Sequence, residues 1–448
     1  MGPAPRTVWI GLVLALTALA IPAVGEVDSN WVDSNWVDSN WVESSSVESN
    51  MADPAQPDVL GGDALTSMVE VRQSGGFDPF TLSLIDDAVR AVRGESTRLH
   101  RVTLRMQRVM RGEEIVQEAP AGFGYPMLTM AIDPTTPVVP VGLRTTLASG
   151  EAAMGEITAR IRGAVVGDVL DLESLDGTVV PVRIGAIVPD EEIRWSEILI
   201  GDSVITGLEI DRPYSVVAWG TNGALLASAI RIWTSDPGVL VLDGLGGSPT
   251  DPVLPMAVVK ERFGEFAVAP AGGDSVEVDQ AWRDAWIATV DFPIVGVTRC
   301  HRMVVPYIRA ALDEVDRSGL AEQLDRADFQ IAGGCYNPRF NRGGDPGYAL
   351  SRHSWGIAVD FNPSTNQYGD EPTLSHEIVE IFRRWGFSWG GGWSVPDGMH
   401  FEWFSLPLVY AAACSELTAV QGSAVTVEDS EADDLVLWML FPSSGTCQ

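Results

Sequence analysis

Apolar and polar residues alternate in short runs through the middle of the chain. Runs such as V-L-D-L, V-V-P-V-R-I and A-L-L-A-S-A-I-R-I-W are separated by D-G, G-D, N-G and D-P pairs, which favour turns. A repeat of two residues is typical of a strand with one buried face. The pattern therefore predicts small β-sandwiches or barrels between about residues 138 and 241, within a β-rich accessory region that we place at residues 64–250.

Three other stretches repeat apolar residues every three to four positions, which is the spacing of an amphipathic helix. They lie at residues 82–92, at residues 303–315, and from Ser375, a typical N-cap, to Gly386, a typical helix stop. Between the first two, residues 99–110 alternate and predict a strand with one basic face. The chain therefore combines strands and helices on both sides of the β-rich region.

Two more alternating stretches place chemically active side chains on one face of a strand. In I-A-V-D-F the small residue Ala358 shares a face with Asp360, and in M-H-F-E-W His400 shares a face with Glu402. If these strands are neighbours, Asp360 and His400 converge across the ladder at side-chain contact distance. The sequence therefore predicts that two separated segments contribute to one site.

Four residues of these segments have the composition of a hydrolytic zinc site, namely His353, Asp360, Asp397 and His400. A catalytic zinc ion usually takes three protein ligands and keeps a fourth position for water, and a carboxylate that does not bind the metal serves as general base. The segments supply two imidazoles, one ligand carboxylate and one spare carboxylate. Asp397 lies in a Pro-Asp-Gly turn that would direct it towards the bound water. We therefore expect a centre for one zinc ion.

The chain has five histidines, and three of them lack this context. His376 follows Ser375 at the predicted helix start, which favours a structural role. His100 and His301 have no acidic companion at ligand spacing, so we expect both to be exposed and non-catalytic.

The pattern S-x-H-x-x-G-x-A-x-D followed by D-x-x-H-F-E resembles the motifs of zinc peptidases that cut peptidoglycan stem peptides. That family includes D-alanyl-D-alanine carboxypeptidases and L-alanyl-D-glutamate endopeptidases, within the lysostaphin and hedgehog superfamily. The resemblance covers about residues 291–405. It implies zinc ligation by His353, Asp360 and His400. It also implies Asp397 as the catalytic base.

The same resemblance implies residues for substrate binding. Family members carry an arginine upstream of the first zinc histidine that holds the substrate or the developing oxyanion, and Arg339 in G-G-C-Y-N-P-R-F is at the matching place. We add Ser351, and we add Trp393 as a wall of the substrate groove. Trp389 is an alternative wall, and ordinary packing is open for both tryptophans. The dipeptidase and vancomycin-resistance branches carry Glu where this chain has Asp397, so the bond that is cut stays open.

The charge of the chain excludes one class of partner. Lys and Arg number 29 against 61 Asp and Glu, which gives a formal net charge of -32. Such a surface repels nucleic acid and anionic lipid. We therefore expect no nucleic-acid partner, and the resemblance implies a peptidoglycan stem peptide as the substrate.

The first residues of the sequence predict export. Arg6 precedes an apolar run at residues 8–24, and small residues lie just before Glu26, as in a signal peptide. An uncleaved membrane anchor is the alternative, so we assign residues 1–25 as a signal peptide or a possible membrane tether. Either assignment predicts an extracytoplasmic protein, which is secreted or anchored to the outer face of the cytoplasmic membrane.

A literal V-D-S-N-W repeat follows this segment. Asp, Ser and Asn favour turns over packed structure, so we interpret residues 26–60 as a disordered acidic spacer. The tryptophans of the repeat are an alternative set of recognition points.

Export also gives the four cysteines a disulfide interpretation. Three pairings are possible, and we favour Cys300 with Cys335 and Cys414 with Cys447. Zinc ligation by cysteine is the competing hypothesis, although the sequence has no C-x-x-C pair.

Together these observations predict an exported zinc peptidase. Its α+β catalytic domain, a central antiparallel sheet flanked by helices, occupies residues 252–414, with β-rich small domains before it and an acidic tail at residues 415–448. We expect D-alanyl-D-alanine carboxypeptidase activity. The alternatives are an L-alanyl-D-glutamate endopeptidase and, from another class, a non-catalytic zinc-containing cell-wall binding module.

Overall fold

The computed structural model describes residues 67–73, 76–174, 177–208, 213–236, 238–243, 252–331, 334–341 and 349–406. The segments predicted as a signal peptide or anchor and as a spacer, the predicted pairing of Cys414 with Cys447, and the acidic tail lie outside these residues. Asp58–Ser405 form one compact unit. Among the described residues, every helix is too short or too polar to span a lipid bilayer.

The strands and α-helices follow one another along the described chain in this order: β1 (Ser67–Gln73), α1 (Pro79–Ala91), β2 (Glu95–Arg111), β3 (Glu114–Glu118), β4 (Tyr125–Ile132), α2 (Arg144–Ala148), β5 (Ala152–Gly155), α3 (Glu156–Arg162), β6 (Val169–Glu173), β7 (Val179–Val188), β8 (Ile198–Gly201), β9 (Ser215–Gly220), α4 (Gly223–Thr234), β10 (Val239–Asp243), α5 (Met256–Phe263), β11 (Val268–Pro270), β12 (Val276–Val278), α6 (Gln280–Trp286), β13 (Ile287–Phe292), β14 (Gly296–His301), α7 (Val305–Arg317), α8 (Arg326–Ile331), β15 (Ala358–Asp360), α9 (His376–Arg384), β16 (Phe387–Trp389) and β17 (His400–Trp403). The helices predicted at residues 82–92, at residues 303–315 and after Ser375 correspond to α1, α7 and α9.

Strand β2 belongs to two different sheets. It is 17 residues long, and its first residues complete a four-stranded antiparallel sheet in the order β10-β1-β9-β2. Helices α1 and α4 pack together on this sheet, where Ile85 and Val89 meet Leu226 and Ile230 in one buried cluster. This strand order and orientation are those of the split βαβ motif. The segments between β2 and β9 are an insertion into it.

The remainder of β2 closes a six-stranded barrel within the predicted β-rich region. The strands follow in the order β2-β4-β8-β5-β7-β6, and β6 pairs with β2 again. Side chains such as Leu104, Met106 and Ile184 fill its interior. On the outer face of β2, the basic side chains that the alternation predicted pair with acids of β6, and Arg108 Nε lies 2.5 Å from Asp171 Oδ2. The barrel has no open edge along this path.

One run that we predicted as a strand is a helix. The run A-L-L-A-S-A-I-R-I-W lies in α4, which begins after Asn222, and the Asn222 side chain accepts a hydrogen bond from the Leu225 amide at 2.9 Å. Leu226 and Ile230, four residues apart, are both buried. A nearly continuous apolar run fits both the two-residue period of a strand and the 3.6-residue period of a helix. The N-cap and the packing against α1 therefore determine that this run is a helix. The accessory region is therefore mixed α/β and not only β-rich.

The described residues between 252 and 406 form three small sheets where we predicted one central sheet. β11 pairs with β12, β13 pairs with β14, and β17 lies between β15 and β16, all antiparallel. Helices α7 and α9 pack against each other, and α9 packs on β16. The ring centroids of Phe361, Phe382 and Phe401 lie 4.8 to 5.8 Å apart. The strands of the sheet β15-β17-β16 are only three or four residues long, so aromatic packing adds to their short ladders in holding these elements together.

Helix α5 joins these sheets to the barrel through buried charges. Lys260 on α5 is 2% exposed, and its Nζ donates to Glu197 Oε1 at 2.6 Å and to the carbonyl of Pro126. Glu265 Oε1 lies 3.2 Å from Lys260 Nζ and 2.6 Å from Arg162 Nη2. We call Lys260, Glu197, Glu265 and Arg162 the junction cluster.

Candidate metal centre

Two neighbouring strands and one turn bring the predicted ligands together. β15 pairs with β17 so that Asp360 lies directly opposite His400, in the register that the alternation predicted. His353 comes from a single 3-10 turn, Arg352–Ser354, in which the His353 amide donates to Ser351 Oγ at 3.3 Å. The three ligands therefore depend on a short strand ladder and a capped turn.

A glycine and a disulfide hold the neighbouring backbone close to this turn. Gly356 has a φ of 66°, and a Cβ there would lie 2.8 Å from the amide nitrogen of His301, so only glycine fits. The disulfide between Cys300 and Cys335 is present, with the two Cα atoms 5.2 Å apart, and confirms that predicted pairing. It joins the end of β14 to the segment whose carbonyl oxygen accepts a hydrogen bond from His353.

The side chains of the predicted ligands converge. Asp360 Oδ1 lies 3.0 Å from His353 Nε2 and 3.0 Å from His400 Nδ1, and one ligand atom from each residue lies within 4.8 Å of the others. His353 Nδ1 donates to the Cys335 carbonyl at 2.9 Å, and His400 Nε2 donates to Glu402 Oε2 at 3.2 Å. Each imidazole therefore turns its other nitrogen towards Asp360. Two imidazole nitrogens and one carboxylate oxygen are a donor set that zinc favours.

Burial and mutual contacts shift the pKa values of this centre. Burial alone would raise the pKa of Asp360, but the adjacent His353 and His400 outweigh it and hold that pKa well below its usual range. Burial alone would lower the pKa of His400, but its hydrogen bonds to Asp360 and Glu402 raise that pKa to about 10. The centre therefore stabilises positive charge. A divalent cation would supply that charge in place of protons.

Asp397 lies beside the three ligands in the turn that leads into β17. The amide of His400 donates to the Asp397 carbonyl at 3.1 Å, and the amide of Asp397 donates to Gly390. Burial raises the pKa of the Asp397 carboxyl. Within the described residues, its buried Oδ1 has no hydrogen-bond partner. A buried carboxylate oxygen with unused acceptor capacity fits a centre that holds a metal and its water.

Arg339 and Ser351 lie next to the ligand carboxylate. Arg339 Nη1 donates to Ser351 Oγ at 2.8 Å, and Arg339 Nη2 lies 3.8 Å from Asp360 Oδ2. Both side chains are mostly buried at this place. The guanidinium is therefore close enough to the centre to interact with an anionic group bound there.

The two candidate tryptophans have different surroundings. The Trp393 ring centroid lies 5.4 Å from that of His400, and among the described residues its buried Nε1 has no acceptor. Trp389 instead donates its Nε1 to the Gly398 carbonyl at 2.9 Å. Trp393 is thus the tryptophan with a hydrogen-bond donor left for a ligand, whereas Trp389 is part of the packing.

Sequence reasoning assigned no role to Arg352 or Glu402. Glu402 contacts His400, and Arg352 Nε lies 3.4 Å from Glu402 Oε1. The placement of Glu402 two residues after His400 was a usable signal, because both side chains must leave the strand on the same face. Nothing in the local sequence marks Arg352 as its partner, since 50 residues separate them.

The prediction that His301 is exposed is wrong, because His301 is buried. Its ring stacks on Trp286 at 5.2 Å and meets the edges of Phe263 and other rings, and the side chain is fully buried. Burial lowers its pKa to about 3, and its hydrogen bond to the Phe263 carbonyl offsets only part of that effect. The ring is therefore a neutral part of an aromatic core. His376, by contrast, is exposed at the start of α9.

Fold and site together define a protein of mixed α/β architecture with a buried His-Asp-His centre of the kind that holds a metal. Residues 345–403 match the sequence model of a family described as D-alanyl-D-alanine carboxypeptidase. This match contains all three centre residues and Asp397, so the likeness to that peptidase family lies in the segment that carries the site.

Other comparisons add little to this. No curated protein sequence matches the chain. One solved structure, the extracellular domain of the noncanonic ABC-type transporter YknZ from Gram-positive bacteria, is similar at 11% identity and a TM-score of 0.26, over 39% of this chain and 99% of that one.

Proposed function

We propose that this protein is an exported zinc-dependent peptidase that removes D-alanine from peptidoglycan stem peptides. The observation that carries the proposal is the convergence of His353, Asp360 and His400 beside Asp397, whose buried Oδ1 has no hydrogen-bond partner among the described residues. The family match over the same residues supports the substrate class. Export is proposed from the apolar segment at residues 8–24 and from the cell-wall substrate.

In the mechanism that we propose, His353, Asp360 and His400 would hold one zinc ion. When bound, zinc supplies a Lewis acid and lowers the pKa of a coordinated water to about 7. Asp397 accepts the proton of the attacking water and returns it to the leaving amine, a task that suits a carboxyl whose pKa burial has raised.

Arg339 and Trp393 would position the substrate. Arg339 attracts the free carboxylate of a peptide that ends in D-alanine, or the oxyanion that forms as the bond breaks. The indole N–H of Trp393 donates to a polar atom of the peptide. Removal of solvent from these contacts strengthens them, because the surrounding side chains are buried.

An L-alanyl-D-glutamate endopeptidase is the second candidate, because the base position holds Asp397 and the resemblance associates Asp with endopeptidase-like and some carboxypeptidase-like branches alike. Mass spectrometry of digested cell-wall fragments distinguishes the two activities. Loss of a terminal D-alanine identifies the carboxypeptidase, whereas fragments that begin with D-glutamate identify the endopeptidase.

The replacement Asp397→Ala tests the proposed base. We expect the variant to keep one zinc ion per chain and to lose about 10²- to 10⁴-fold in turnover, because general-base catalysis is removed while the ligands remain. Elemental analysis and the peptide assay measure the two quantities. Asp370→Ala is the matched control, since Asp370 is exposed on a nearby loop. Wild-type turnover in Asp397→Ala would refute the base assignment, and an active protein without zinc would refute the metal mechanism.

A further inference from the structure

The face of His400 that points away from the centre contacts a buried ion pair. His400 Nε2 donates to Glu402 Oε2 at 3.2 Å, and Glu402 is 4% exposed. Arg352 Nε lies 3.4 Å from the other carboxylate oxygen of Glu402. The contacts therefore run from the Arg352 guanidinium through the Glu402 carboxylate and the His400 imidazole to Asp360.

Arg352 is itself held by Leu254, which precedes α5, and by Met256, the first residue of α5. Its Nη2 donates to the carbonyl of Leu254, and its Nη1 lies 3.4 Å from Met256 Sδ. Among the described residues, the Arg352 side chain contacts Glu402, Leu254 and Met256 and none of the three ligands. Its contacts instead restrict the position of the Glu402 carboxylate.

The two histidines of the centre have different outer partners. His353 Nδ1 donates to a neutral acceptor, the Cys335 carbonyl. His400 Nε2 donates to an anionic acceptor, Glu402. A carboxylate bound to the outer nitrogen of a metal-binding imidazole fixes the tautomer and ring orientation, and it makes the inner nitrogen a better donor. Only His400 receives this effect.

We infer that Glu402 and Arg352 form a positioning pair, which holds His400 with its Nδ1 directed to the metal and tightens metal binding. The inference rests on the metal centre of the proposed function and deepens it. Neither residue touches substrate in this arrangement. Both act through His400.

The test is the dissociation constant of zinc, measured by competition with a chelator on the full-length protein. Loss of an outer-shell partner typically weakens metal binding 10- to 100-fold, so we expect about 100-fold for Glu402→Ala. Glu402→Gln keeps the shape and loses the charge, and we expect about 10-fold. Arg352→Met leaves the Glu402 carboxylate less restrained, and we expect zinc binding to weaken about as much as in Glu402→Gln.

Ser388→Ala is the matched control. Ser388 lies directly opposite Glu402 on β16 and is equally buried, so this variant disturbs the same row of the sheet without touching the ion pair. It should bind zinc within about twofold of the wild type. Circular dichroism in the presence of chelator checks that each variant is folded, and Glu402→Gln provides the test if Glu402→Ala does not fold.

The outcomes separate this inference from the proposed function. If wild-type protein binds no zinc, the proposed function and the inference both fail. If wild-type protein binds zinc and the folded Glu402 variants bind it as tightly, the positioning pair is refuted while the peptidase proposal stands. Nitrogen NMR of the imidazoles in the zinc-loaded protein should show the metal on His400 Nδ1, and a metal on Nε2 would also refute the inference.

Discussion

Two buried groups of ionisable side chains occur in the same compact unit, and their charges are arranged differently. In the junction cluster each cation contacts a carboxylate, with Lys260 Nζ at 2.6 Å from Glu197 and Arg162 Nη2 at 2.6 Å from Glu265. Two cations and two anions balance there. In the metal centre, one nitrogen of each of two imidazoles and one carboxylate oxygen lie within 4.8 Å of one another, and Arg339 Nη2 lies 3.8 Å from the same carboxylate.

The difference shows what separates a structural ion cluster from a functional one. Burial alone does not distinguish the two kinds of cluster, because both groups are nearly inaccessible to solvent. In the junction cluster each charged side chain contacts one of opposite charge, although Glu265 Oε2 and Arg162 Nε have no hydrogen-bond partner among the described residues. The cluster connects α5 to the barrel. The metal centre has converging donors and a spare carboxylate, which is the arrangement that a bound cation completes. Three substitutions test this contrast, and a fourth, at His301, tests a buried ionisable group that is held neutral.

The largest effect is expected for His400→Ala. The variant loses one of three protein ligands, so we expect zinc content to fall to background and hydrolysis with it. Elemental analysis and the peptide assay measure both. His376→Ala is the control, because that imidazole is 79% exposed and is not one of the three residues that converge in the centre. Stoichiometric zinc in His400→Ala would mean that the centre is not the metal site.

A large effect on stability, and none on metal binding, is expected for Lys260→Met. The change leaves Glu197 buried without its cation, which typically costs about 3–5 kcal/mol. Urea unfolding of metal-free protein measures the loss, and zinc titration of the folded variant should match the wild type. A variant that is as stable as the wild type would show that the junction cluster does not stabilise the fold.

A smaller, pH-dependent effect is expected for His301→Phe. The native pKa of His301 is about 3, below the unfolded value of 6.5, so below pH 6.5 only the unfolded chain takes up this proton. The contribution of neutral His301 to the free energy of unfolding is complete above pH 6.5. Between pH 6.5 and pH 3 this contribution falls by about 1.4 kcal/mol per pH unit. Between pH 7 and pH 5 the wild type should therefore lose about 2 kcal/mol more than His301→Phe in urea unfolding. Equal losses would contradict a neutral buried ring.

The smallest effect is expected for Arg160→Ala. Arg160 pairs with Glu261 at the same junction, but the two side chains are 61% and 41% exposed. Exposed pairs contribute about 0–1 kcal/mol, so urea unfolding should shift by less than 1 kcal/mol. A loss as large as that of Lys260→Met would remove the distinction between the buried and the exposed parts of the junction.

The local order of apolar and polar residues predicted some parts of the fold correctly and others wrongly. The alternation around Asp360 and His400 predicted their common face, and the register confirms it. The same reasoning failed for α4, because an apolar run with few polar positions fits both a strand and a helix. There the Asn222 cap and the packing of Leu226 and Ile230 decided.

The sequence by itself determined the chemistry available to this protein: which side chains can bind a metal and which face of each strand carries them. These properties depend on residues near one another in the chain. Tertiary structure alone decided which segments meet. The contact between Lys260 and Glu197 spans 63 residues, and that between Arg352 and Glu402 spans 50. No local period encodes such contacts, because they form only when separate elements pack and exclude water from the charges between them.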